Sequence, residues 1–196
     1  MKNSYSQAPF KFKKKRRSYA LSIIKKQYEI PRTGWVDRQV EKPETVGEHT
    51  DDLIDMAKKN YPYINGLVAM LKVHDWPETD DEVGDARTDK FCPPEHRWSK
   101  EKKYEKEFFA MTQICEQLGP RGKYILRLWL EFEENKTQRA QIAKQLDRLQ
   151  RIKKAISYQR NGQPVIAQDF IDNDEKYIND PKLIKILEKA KLRLTH

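Results

Sequence analysis

The chain is 196 residues long and 37% apolar, a size and composition that suit one compact domain with a single core. Its net charge of +9 is uneven, because the first 17 residues carry seven Lys or Arg and no acid, which leaves +2 for the other 179. Two cysteines without a CxxC spacing exclude a disulfide framework, and the lack of an apolar leader or of an apolar run of about 18 residues argues against secretion and membrane spanning, so a reducing cytoplasm is expected.

In chain order, residues 1–17 read as a basic, disordered tail. Its Lys11 to Arg17 cluster, with Phe10 and Phe12 interleaved, could bind nucleic-acid phosphates without sequence preference, although simple solvation is the commoner fate of such tails. Residues 18–196 read as one domain. Nearly every periodic signal in it is helical and no stretch sustains apolar–polar alternation, so the expected fold class is all-α, a compact helical bundle. Tyr19 to Tyr28 predicts a short helix that ends before Pro31. Glu44 to Asn60 carries Val46, His49, Leu53 and Met56 at steps of three and four. Ile64 to Trp76 carries Ile64, Leu67, Leu71 and His74 in the same way, with Asp75 beside the stripe, so both histidines are expected to face inward. Pro77 to Pro94 is acidic and broken by prolines and Gly84, a long loop directly after the His74–Asp75 pair. Helices resume with Tyr104, Phe108, Met111, Cys115 and Leu118, then, past Gly119–Pro120, with Tyr124, Ile125, Leu128, Trp129 and Phe132. Lys136 to Gln159 turns Ile142, Leu146, Leu149 and Ile156 inward, with Asp147 at the edge of that stripe. Asn161 to Pro164 is a turn, and Pro181 opens a last helix through Leu183, Ile186, Leu187, Ala190 and Leu194.

The adjacent imidazole and carboxylate of His74–Asp75 can hold one metal ion when further ligands arrive from elsewhere, and His49 and Asp147 are the candidates. Two neutral imidazoles and two carboxylates suit a divalent Lewis acid with positions left for water and a phosphate oxygen; Zn, Mn and Co all fit. Such an ion lowers the pKa of bound water, to roughly 7 in favourable zinc sites, and offsets phosphoryl charge, which points to hydrolysis of a phosphate ester. Taken singly, an inward histidine is more often a hydrogen-bonded core residue, and a helical Asp147 near Arg148 and Arg151 is more often a surface ion pair. Taken together, two of only four histidines on the inner stripes of neighbouring helices favour the metal.

IPRTGWV at 30–36, PETVGEH at 43–49, HDWPE at 74–78, GD at 84–85, LWLEFE at 128–133 and KQLD at 144–147 together resemble the HD-domain metal-dependent phosphohydrolases, and within them the branch of 5'-deoxynucleotidases. The resemblance runs from Arg32 to Tyr158, with a weaker echo at Asp169–Phe170 and Pro181. It implies a helical HD-domain bundle around one divalent metal held by His49, His74, Asp75 and Asp147, with Glu78 orienting or deprotonating the attacking water. It also implies that Asp85 contacts the sugar or assists in catalysis, that Arg32 and Lys90 hold phosphate or sugar oxygens, and that Trp35 offers a flat face to the base or sugar. The plainer alternatives are a solvated Arg32 and Lys90 and a Trp35 packed on the core. A second Mg or Mn ion could accompany the substrate phosphate, and a homodimer or higher homo-oligomer is expected. Three features set this chain apart: two more residues between Glu78 and Asp85 than in bacterial members, Gly47 where a small Ala or Ser is usual, and the basic N-terminal extension.

The reaction that follows from the resemblance is hydrolysis of deoxynucleoside 5'-monophosphates to deoxynucleoside and phosphate. A dNTP triphosphohydrolase of the same family, such as a phage dATPase, would instead place an α-phosphate at the metal and release tripolyphosphate, with the lysine-rich tail and loop serving the longer phosphate chain. An inactive HD module would bind nucleic acid through the basic tail; the intact Glu78 and the four ligand positions speak against it. The RTGW and LWxExE-like motifs favour the monophosphatase.

Overall fold

The computed structural model describes residues 14–194, and every regular element among them is helical. The helices are α1 (Lys14–Gln27), α2 (Thr33–Val36), α3 (Val46–Asn60), α4 (Leu67–Val73), α5 (Lys100–Leu118), α6 (Gly122–Glu134), α7 (Gln138–Arg160), α8 (Ala167–Asp174) and α9 (Pro181–Lys191). The chain is therefore all-α, with one isolated antiparallel bridge between Pro31 and Thr45. Of the basic tail, residues 1–13 lie outside the described residues, whereas Lys14 to Arg17 form the first turn of α1.

Local chemistry sets the helix ends. Thr45 and Glu48 form a reciprocal capping box at the start of α3. Ser99, Thr137 and Asp180 cap α5, α7 and α9 through side-chain oxygens, and Pro181 takes the first position of α9, where no N–H is needed. Helices α3, α4, α6 and α7 pack on one another; α5 lies on α6, α8 and α9 lie on α7, and α1 closes over α3 and α5. Leu53, Leu71, Leu128, Leu146 and Leu149 are all but inaccessible in this core, and each such side chain contributes roughly 1.5–3 kcal/mol of transfer free energy.

The structure departs from the periodic pattern in three places. α4 stops at Val73, with His74 as its last, capping residue and Asp75 turned out of the helix into a 3-10 turn, Trp76–Thr79. Pro77 has no N–H to give the carbonyl one turn back, so an α-helix through Trp76 is not sustained. On α5 the buried face runs through Glu107, Ala110, Met111, Ile114, Cys115 and Leu118, while Tyr104 and Phe108 are exposed. Helix α8, which the periodic pattern omits, buries Ala167 and Ile171 against α7.

Candidate metal centre and cavity

The capping box fixes the start of α3 and so places His49 one turn inside it, fully buried and facing α7. Its Nδ1 lies 2.8 Å from Oε1 of Gln150. Gln150 Nε2 donates to Glu44 Oε1 at 2.6 Å and to Asp52 Oδ2 at 3.2 Å. Carboxylates accept only, so the amide nitrogen is fixed and Oε1 must accept, which puts the imidazole proton of His49 on Nδ1. His74 reaches the same state, its Nδ1 donating to the Leu71 carbonyl at 2.8 Å. Both Nε2 atoms are left buried without an aligned hydrogen bond.

These two nitrogens and the Asp147 carboxylate offer ligand atoms within 4.8 Å of one another. His49 Nε2 is 3.2 Å from Asp147 Oδ1; Asp75 Oδ2 is 3.1 Å from His74 Nε2 and 3.8 Å from His49 Nε2. Burial by itself would raise the pKa of Asp75 and Asp147. Positive charge on His74 while it is protonated and on Arg32, beside the first, and on Arg151 beside the second, holds both below the ordinary carboxylate range, and a divalent cation would take the place of the imidazole proton. Two orphaned imidazole lone pairs facing ionised carboxylates form a donor set that fits a divalent cation. The chain of Trp35 Nε1 to Glu44 Oε2 (3.2 Å), Glu44 to Gln150 and Gln150 to His49 is the outer support that fixes ring orientation in metal sites.

Glu78, in the 3-10 turn, is 3% exposed. Burial, reinforced by Asp75 and Asp85, pushes its pKa well above the ordinary glutamate range against the opposing charges of Lys103 and Arg32. Arg32 stands among acids, with Nη1 3.1 Å from Asp75, 3.6 Å from Asp85 and 3.9 Å from Glu78. Asp85 is brought in despite the longer loop. The backbone turns at Asp80–Gly84, and Asp85 Oδ2 accepts the Thr33 N–H at 2.5 Å.

Arg32, His74, Asp75, Glu78, Asp85 and Asp147 line a cavity of about 400 Å³, the size of a small-ligand site. Trp35 lies on its wall but is 3% exposed, stacked on Phe170 with centroids 4.8 Å apart and edge-on to Tyr158. Lys90 is exposed, with Nζ 4.9 Å from the Phe91 ring centroid, and stands outside the cavity lining. The lining cations are instead Arg32, Arg38, Arg87, Lys103, Lys144 and Arg151, with Lys100 beside them. Sequence reasoning also passed over Glu44, Gln150 and Lys103. A buried Glu44 carries no periodic signal, and Lys103 was hidden because Tyr104 and Phe108 drew the inward stripe one position round α5.

Residues 24–183 match the family described as HD domain. The chain is 32% identical over 175 residues to 5'-deoxynucleotidase HDDC2 of Homo sapiens, covering 86% of this chain and 81% of that protein. It is also 32% identical over 158 residues to 5'-deoxynucleotidase hdd1 of Schizosaccharomyces pombe, 76% of each. Among solved structures, a predicted metal-dependent phosphohydrolase from Magnetospirillum magnetotacticum MS-1 shares the fold with a TM-score of 0.64 and 23% identity, covering 92% of this chain and 97% of that one.

Proposed function

This chain belongs to the HD-domain family, and from that premise we propose that it is a metal-dependent hydrolase converting deoxynucleoside 5'-monophosphates to deoxynucleoside and phosphate. The observation that carries the reading is the pair of orphaned Nε2 atoms of His49 and His74 beside Asp75 and Asp147, with Glu78 in the same cavity. The 5'-deoxynucleotidases at 32% identity support the substrate class.

His49, His74, Asp75 and Asp147 would hold the ion, and their mixed nitrogen and oxygen set suits Zn, Mn or Co. When bound, the ion supplies Lewis acidity for water and phosphoryl group alike, and a second Mg or Mn would enter with the substrate phosphate. Glu78 accepts the proton of the water that attacks phosphorus; the bond to the 5'-oxygen breaks, and the nucleoside leaves as an alcohol once that oxygen is protonated. Arg32 brings positive charge to the cavity and is held in place by Asp75 and Asp85. Trp35, buried between Phe170 and Tyr158, backs the cavity wall rather than offering a free face, and Phe170, stacked on it, lines the cavity where the base or sugar rests.

No helix among the described residues is long and apolar enough to cross a membrane. We place the enzyme in the cytoplasm, which suits its two free cysteines, and as a homodimer, for which Phe108 and Phe109 facing out from α5 provide apolar surface. The deciding experiment is product analysis of the metal-loaded chain with deoxy- and ribonucleoside mono- and triphosphates. Phosphate from deoxynucleoside monophosphates is expected; tripolyphosphate from a dNTP overturns the assignment in favour of a triphosphohydrolase.

A further inference from the structure

Lys103, on α5, reaches across to the turn that carries Glu78. Its Nζ lies 2.8 Å from the Ala86 carbonyl oxygen, 3.3 Å from Glu107 Oε1 and 3.4 Å from Glu78 Oε1. Hydrogen bonds to Ala86 and Glu78 take two of the ammonium's three N–H donors and Glu107 pairs with it as an ion, so three protein acceptors compete with a substrate phosphate for it. Glu78 Oε2, by contrast, is buried without a hydrogen bond. Arg32 lies 3.9 Å from it, beyond hydrogen-bond range, and does not fix its direction.

We infer that Lys103 is a positioning residue for the hydrolysis: it holds Glu78 by Oε1 so that Oε2 is the oxygen that takes the proton from water, and it ties the Asp85–Ala86 loop to α5 through the Ala86 carbonyl. The inference rests on the hydrolase reading above. Two further contacts support it. Glu107, one turn along the same helix, is itself 9% exposed and pairs with the ammonium, so Lys103 is anchored on its own helix. The residue preceding Ala86 is Asp85, whose carboxylate accepts the Thr33 N–H and faces Arg32, so one lysine fixes both the proton acceptor and the segment that orients Arg32. Without the ammonium, Glu78 and Glu107 would be buried acids with no cation between them, and Glu78 would be free to rotate away from the water.

The test uses the full-length, metal-loaded protein and the variants Lys103→Met, Glu107→Gln, Glu78→Gln and the double variant Lys103→Met/Glu78→Gln. Metal content, kcat, KM and amide hydrogen exchange of residues 84–88 are measured. Lys103→Met is expected to keep its metal, to hold KM within about threefold and to lose roughly 10²-fold in kcat, the scale of a misplaced general base. The double variant is expected to be no slower than Glu78→Gln alone, because the lysine acts through that carboxylate. Exchange at 84–88 should accelerate in Lys103→Met, and Glu107→Gln should show the same changes in smaller measure. Multiplying losses in the double variant, or a rise in KM with kcat retained, would overturn the inference and make Lys103 a direct phosphate ligand. Unchanged exchange would also overturn it. Should the wild type hydrolyse no nucleotide, the hydrolase reading fails, and the exchange measurement still decides the loop anchoring by itself.

Discussion

His49 and Gln150 stand 101 residues apart in the chain and share a buried hydrogen bond of 2.8 Å, imidazole Nδ1–H to amide oxygen, which aims the free ring nitrogen of His49 at Asp147. Gln150 is itself fixed by Glu44, so the orientation of a candidate metal ligand depends on two side chains that are not themselves candidate ligands.

Replacing Gln150 with Leu should therefore weaken divalent-metal binding about 10–100-fold, the usual cost of losing such a partner, while the helical content stays intact. Calorimetric titration of the metal-free protein with Zn or Mn checks this. Unchanged affinity would show that His49 needs no outer support.

Ligand and proton-acceptor roles separate by metal content. His49→Ala and Asp75→Ala should lose bound metal and turnover together. Glu78→Gln should retain the metal and lose roughly 10²–10⁴-fold in kcat. Metal analysis alongside steady-state kinetics distinguishes them, and a Glu78 variant with near-native rate would remove this residue from the mechanism.

Lys90→Ala should leave both kcat and KM within about twofold, as for an exposed side chain remote from any strained or buried contact. Its ammonium lies over Phe91, outside the cavity lining. A tenfold rise in KM would mean that the loop closes on substrate and brings Lys90 to the phosphate.

Gly47 has a steric reason. A Cβ there would lie 2.6 Å from the Tyr28 ring, whose hydroxyl is bonded to Asp51. Gly47→Ala should destabilise the protein by about 1–3 kcal/mol through this overlap. In a Tyr28→Ala background the same change should stabilise by up to about 1 kcal/mol, because only the helix preference of alanine remains. Urea unfolding of the four proteins tests the reversal of sign.

Stability should fall between pH 9 and 12. Burial pushes the Cys115 thiol up to about 12 from its ordinary 9.0, and burial, with Glu44 and Glu48 nearby, takes the Tyr158 hydroxyl to about 12 from 10.0. In that window the folded chain keeps protons that the unfolded chain gives up. The stabilisation is complete below about pH 9 and is lost as pH rises towards 12. Urea midpoints from pH 8 to 11 should decline, less steeply in Cys115→Ala, and native Cys115 should resist thiol reagents at pH 8.

The sequence by itself determined the all-α class and most helix positions, because steps of three and four in Val46 to Met56 and in Ile142 to Ile156 admit no other regular backbone, and Pro181 marks where the last helix begins. It also singled out His49, His74, Asp75 and Asp147, by residue type and motif, as groups worth seeking in one place. Only the tertiary structure decided which atoms meet. Pro77 ends α4 early and turns Asp75 towards Arg32. A small rotation of α5 takes Tyr104 outward and Lys103 to Glu78. Gln150, with no motif around it, becomes the partner that fixes His49. Periodicity reports which face of a helix is apolar, whereas the contacts of a buried polar group depend on how whole helices are set against one another, and that is fixed by packing across the core.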